Sequence, residues 1–124
     1  MTTRPEELRN RTKQFALRIL KLVRALPRTD EGRIIGKQLL RAGTGVAANY
    51  RAACRARSPA EFISRMGIVV EEADEVTLWL ELIVEGEILP KSRLSALMTE
   101  AGELLAIVAA SQRTARLRNR SMAR

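Results

Sequence analysis

A chain of 124 residues suits one domain. Hydrophobic residues make up 46% and aromatic residues only 3%, so the core must be aliphatic, which leans towards helices. With 22 Lys+Arg against 14 Asp+Glu the net charge is +8, which favours nucleic acid, an acidic protein face or anionic lipid as partner. The absence of His removes the commonest general base and metal ligand, and a single Cys54 excludes an internal disulfide or a Cys-only metal cluster.

Four segments read as helices. The first is expected from about Pro5 to Leu26: Thr3 and Glu6 have capping-box spacing, and Pro5 is tolerated in a first turn. Leu8, Phe15, Ile19, Val23 and Leu26 share one face, and Pro27 stops the helix. The second runs from about Asp30 to Arg55 with Thr29 as N-cap. Ile35, Leu39, Val46, Tyr50 and Ala53 form its apolar face. Gly43 and Gly45 each cost roughly 1 kcal/mol of helix propensity relative to Ala, but small residues permit close helix approach, so the helix is read as continuous.

Ser58-Pro59-Ala60-Glu61 carries the clearest start signal, with Ser58 as N-cap and Glu61 as its reciprocal partner. The third helix then reaches about Val84, burying Phe62, Met66, Val69, Ala73, Val76, Leu80 and Ile83. Gly86 and Pro90 bracket a turn. The fourth helix runs from about Lys91 to Ser111 or beyond, with Leu94, Leu97, Met98, Ala101, Leu104, Leu105 and Val108 on its apolar face. Nothing reads as a strand. The expected fold is all-α, an up-down-up-down antiparallel four-helix bundle over residues 1–112. Residues 113–124, basic throughout, are expected to be a frayed helix end or a disordered tail.

The block Gly36-Lys-Gln-Leu-Leu-Arg-Ala-Gly-Thr-Gly-Val-Ala-Ala-Asn-Tyr50 resembles the signature of the four-helix-bundle proteins known as 23S rRNA intervening-sequence proteins, the S23 family. Arg51-Ala-Ala-Cys-Arg-Ala-Arg-Ser-Pro-Ala-Glu-Phe62 continues it. Glu72-Ala-Asp-Glu-Val-Thr-Leu-Trp-Leu-Glu-Leu82 resembles the stretch found in many members. The resemblance covers about residues 8–110. It departs at Gly45, where the family more often has Ser, and at Glu71-Glu72, where other members carry Gly-Ser. It implies a ring-like homopentamer without known enzymatic activity. Some members are encoded inside intervening sequences of 23S rRNA genes. The similar accessory proteins of diversity-generating retroelements bind nucleic acid and a reverse transcriptase.

Charge is unevenly distributed: residues 1–57 carry net +10, residues 58–110 net −7, and the tail adds +5. On the second helix Lys37, Arg41, Arg51 and Arg55 lie within about 80° of one another, along a stripe roughly 27 Å long. Thr44 and Ala48 fill the gaps and would let a rod-like anion approach. Arg9, Lys13, Lys21 and Arg24 add charge on the outer side of the first helix. These eight residues are the candidate nucleic-acid contacts. The bland alternatives are a solvated face, or a face packed on the acidic third helix of a neighbour. Phe15 and Phe62 sit on core stripes, so binding of RNA or DNA would be phosphate-led and weakly sequence-specific.

Leu78 and Leu82 fall outside the core stripe of the third helix, which suits an oligomer seam. Trp79 lies on the stripe's shoulder and fits either bundle core or a subunit interface. Glu72 lies beside the core stripe and needs a donor from the second helix or a neighbouring chain. Asn49, at the edge of the second helix's core face, suits a buried inter-helix hydrogen bond or a ligand contact. The acidic cluster Glu71, Glu72, Asp74, Glu75 lacks a His from another helix, so no metal or cofactor is expected. Ser58 and Ser64 have no His partner, which excludes a hydrolase triad. No uninterrupted apolar run approaches about 18 residues and MTTRPEELRNR has no signal-peptide apolar region, so a cytoplasmic protein without membrane association is expected. The function these features point to is a non-enzymatic oligomer binding nucleic acid. The alternative is a scaffold docking an acidic protein.

Overall fold

The computed structural model describes residues 4–122. It contains four helices: α1 (Pro5–Ala25), α2 (Asp30–Cys54), α3 (Pro59–Glu85) and α4 (Lys91–Met122). No strand occurs among the described residues. Each helix packs on the next in sequence, and α1 touches α4 more lightly.

The start of α1 differs from the capping-box reading. Thr3 lies outside the described residues, and the N-cap is Arg4, whose side chain makes no cap. Pro5, which has no N–H to satisfy, and the dipole-complementing Glu6 and Glu7 occupy the first turn. Leu26 has left the helix in extended conformation, as a residue before proline prefers, yet stays buried. Thr29 caps α2 by accepting from the Gly32 N–H at 3.1 Å. Ser58 accepts from the Glu61 N–H at 3.1 Å. The Glu61 carboxylate reaches back to the Arg57 N–H at 2.8 Å, one residue before the N-cap the capping box anticipates, and that bond lowers its pKa. Between α3 and α4 the left-handed residue is Glu87, at φ 59°.

Of the stretch expected to be a frayed helix end or a disordered tail, residues 113–122 are helical, because α4 continues to Met122, and residues 123–124 lie outside the described residues. Arg113, Arg116, Arg118 and Arg120 are good helix formers, and their heads remain in water.

α2 is unbroken through Gly43 and Gly45. A Cβ on Gly43 would lie 2.8 Å from Ile19 Cγ2, so α1 sits where a side chain would stand. A Cβ on Gly45 would lie 2.5 Å from Glu72 Oε2. The cost in helix propensity is offset by the packing that the missing side chains permit.

The core follows the apolar stripes, with Phe15, Ile19, Leu39, Val46, Met66, Val76, Leu80, Leu94, Leu104 and Val108 fully buried. Val23, Ile35, Phe62, Met98 and Leu105 are only half-buried at its edge. The stripes missed Thr12, which is fully buried and donates to the Arg9 carbonyl at 3.0 Å. Arg11 clasps α1 to α4 through Glu100 at 2.6 Å and Glu103 at 3.0 Å. By length and composition α4 could cross a membrane. Leu94, Leu97 and Leu104 lie in the core, Leu117 is exposed, and both mid-helix carboxylates engage Arg11.

Two glycine-to-alanine changes should have opposite effects in urea unfolding. Gly43→Ala forces a methyl into Ile19, a cost of about 1–3 kcal/mol that exceeds the roughly 1 kcal/mol of helix propensity gained, so it should destabilise. Gly102→Ala meets nothing within 4 Å and should stabilise by about 0.5–1 kcal/mol.

Candidate nucleic-acid interface

The helical repeat of α2 sets its charges on one side, and the structure divides them into two kinds. Lys37, Arg51 and Arg55 are exposed and enter no ion pair among the described residues. Arg41 is different. Its Nη2 donates to Glu75 Oε1 at 2.6 Å, its Nη1 lies 3.6 Å from Glu72 Oε2, and its Nε donates to Gln38. Arg41, a candidate phosphate contact on the same stripe, thus ties α2 to α3 of its own chain while its side chain stays half-exposed. Thr44 and Ala48 are exposed in the gaps, although the Thr44 hydroxyl is occupied by the Leu40 carbonyl at 2.7 Å.

Beside Arg41 lies the most heavily desolvated carboxylate of this seam. The Glu72 side chain is 13% exposed. Asn49 Nδ2 donates to its Oε1 at 3.2 Å, as the sequence pattern suggests for Asn49. Its Oε2 is covered and has no hydrogen-bond partner. Burial pushes the Glu72 pKa up, and Arg41 counters this only partly. The absence of a side chain at Gly45 is what admits this carboxylate between the helices.

One of the α1 cations shares a cleft with the α2 stripe. Arg24 and Lys37 meet at the α1–α2 turn, in a cleft of about 440 Å³ that Arg28 and Arg33 also line. Arg33 is held by Asp30 at 2.8 Å. Arg9 is half-buried on the rim of a larger apolar groove of about 850 Å³, floored by Tyr50, Phe62 and Ile107, with Arg118 on the same rim. Burial raises the Tyr50 pKa, so its hydroxyl stays neutral. Lys13 and Lys21 are exposed along α1. Arg118 escapes the sequence reading because a segment with almost no apolar stripe reads as frayed; its only signal is continued helix propensity. Leu78 and Leu82 are 50% and 42% exposed. Trp79, placed with them as an interface candidate, packs half-buried on the core with its indole N–H covered and unpartnered.

The arrangement leaves the guanidinium groups of Arg51 and Arg55 exposed on an all-helical, four-helix protein. The chain belongs to the 23S rRNA-intervening sequence protein family, whose model matches residues 6–110. It is similar to the crystal structure of a protein of unknown function from the S23 ribosomal protein family of Bacteroides thetaiotaomicron. The TM-score is 0.81 at 28% identity, covering 88% of this chain and 97% of that one. No curated protein matches the chain.

Two carboxylates on opposite sides of the core should give opposite pH responses. Glu72 has a raised pKa, so its contribution to stability is full below its ordinary value of 4.5 and is lost as pH rises through the raised one. Glu100 is lowered by Arg11, so its contribution is full above 4.5 and is lost as pH falls through the lowered value. In thermal unfolding across pH 3–8, Glu72→Gln should be more stable than the parent at neutral pH and Glu100→Gln less stable. Both gaps should close in acid.

Proposed function

We propose that this protein is a non-enzymatic, oligomeric nucleic-acid-binding bundle that grips phosphate backbones with little regard to sequence. The observation that carries this is the pair Arg51 and Arg55, exposed and unpaired on a half-chain of net +10. Guanidinium groups bind phosphate bidentately and keep their charge at any working pH. Arg9, Lys37 and Arg118 extend the cationic surface, while Arg41 serves the fold. The family's name links it to intervening sequences of 23S rRNA, which favours structured RNA as ligand.

The helices are arranged up-down-up-down. Support comes from Gly43 against Ile19 with Gly36 against Val23 and Leu26, and from Arg41 on Glu75 with Asn49 on Glu72. Copies associate through the exposed leucines of α3, and a ring-like homopentamer is the assembly that the family resemblance implies.

Replacing Arg51 and Arg55 with Gln tests the reading by fluorescence anisotropy against an RNA hairpin and a DNA duplex. Affinity should fall alike for unrelated sequences. The slope of log K against log salt for the duplex should flatten by up to about 0.9 for each phosphate that is no longer neutralised. Thermal stability should stay within about 0.5 kcal/mol of the parent. Binding that ignores both salt and the double substitution would contradict the proposal and favour an acidic protein partner.

A further inference from the structure

Two outer stripes carry matching patterns. On α1, Lys13, Leu17, Lys21 and Arg24 follow one another at steps of four, four and three, and on α3 so do Asp74, Leu78, Leu82 and Glu85. Each set spans about 80° of helix circumference. All eight residues are exposed, and Leu17 is 49% exposed. None of the charged members enters an ion pair among the described residues. One stripe is cationic around a leucine, and the other is anionic around two.

We infer that a second copy of this chain is the occupant of each face: the α1 stripe of one copy lies parallel along the α3 stripe of the next. The inference rests on the helix order and the self-association proposed above. Lys13 then meets Asp74, Leu17 meets Leu78, and Arg24 meets Glu85. The Lys21 stem covers Leu82, and its ammonium group lies near the exposed Glu81. Only the parallel direction brings all four positions into register, because the steps reverse to three, four, four in the antiparallel one. The leucines gain cover that their own chain does not provide, and the flanking charges set partner and direction. Since the two faces are different patches, the contact is heterologous and repeats, closing into a ring or continuing as a filament. It also withdraws Lys13, Lys21 and Arg24 from the phosphate contacts and leaves Arg51 and Arg55 to that task.

Light scattering coupled to size exclusion tests this with a charge exchange. Lys13→Asp alone and Asp74→Lys alone should each shift the mass towards the 13.9 kDa of one chain, with helicity by circular dichroism unchanged. The double variant Lys13→Asp/Asp74→Lys should restore the parent mass, whereas Lys13→Asp/Glu85→Lys should not. A parent protein that is itself monomeric would overturn the self-association reading and this contact with it. An oligomeric parent whose single variants assemble unchanged, or whose exchange fails to rescue, would overturn this contact and leave the oligomer standing.

Discussion

Gly43 and Gly45 stand two residues apart on α2 and face different neighbours. The first lets α1 close onto the helix through Ile19, and the second leaves room for the Glu72 carboxylate of α3. A side chain at Gly43 would press on Ile19 and push α1 away, and one at Gly45 would displace the Glu72 carboxylate. The fold thus accepts two poor helix formers at the centre of its second helix in exchange for close contact on both sides. With one edge of α2 committed to α1 and another to α3, its remaining surface is the one that carries Arg51 and Arg55.

The same seam shows how the charge asymmetry of the chain is used. A basic first half and an acidic third helix would repel or attract copies indiscriminately if all their charges were free. Arg41 consumes part of the α3 acidity within the chain, and Arg11 consumes the two carboxylates in the middle of α4. Beyond the acidic first turns of α1 and α2, what stays unpaired among the described residues is cationic on those helices and anionic along the outer face of α3. The fold therefore sorts one sequence-wide imbalance into internal ties and separate external surfaces.

Much of this was legible in the sequence. The aliphatic periodicity, Pro27, Thr29 and the Ser58-Pro59 start place the first three helices and the start of the fourth to within a residue or two, because each rests on local chemistry. Glu72 was recognisable as a carboxylate in need of a donor, and Asn49 as a candidate to supply one. Three features were not readable. Arg41 shares the spacing of Arg51 and Arg55, and only the position of α3 brings Glu75 within its reach. Thr12 sits on the core face between Leu8 and Phe15, and its burial is tolerated because its hydroxyl donates to the Arg9 carbonyl, which no apolar pattern reports. The extension of α4 depends on helix propensity in a segment with almost no apolar stripe, where composition alone suggested disorder.

The central claim is that α2 divides its arginines between the fold and an anionic ligand. Arginine-selective dicarbonyl labelling, read by peptide mass spectrometry with and without a bound RNA hairpin, tests it directly. Arg51 and Arg55 should react readily in the free protein and become protected by RNA, while Arg41, held by Glu75, should react slowly in both states. Protection confined to other arginines, or an Arg41 as reactive as its neighbours, would contradict that division.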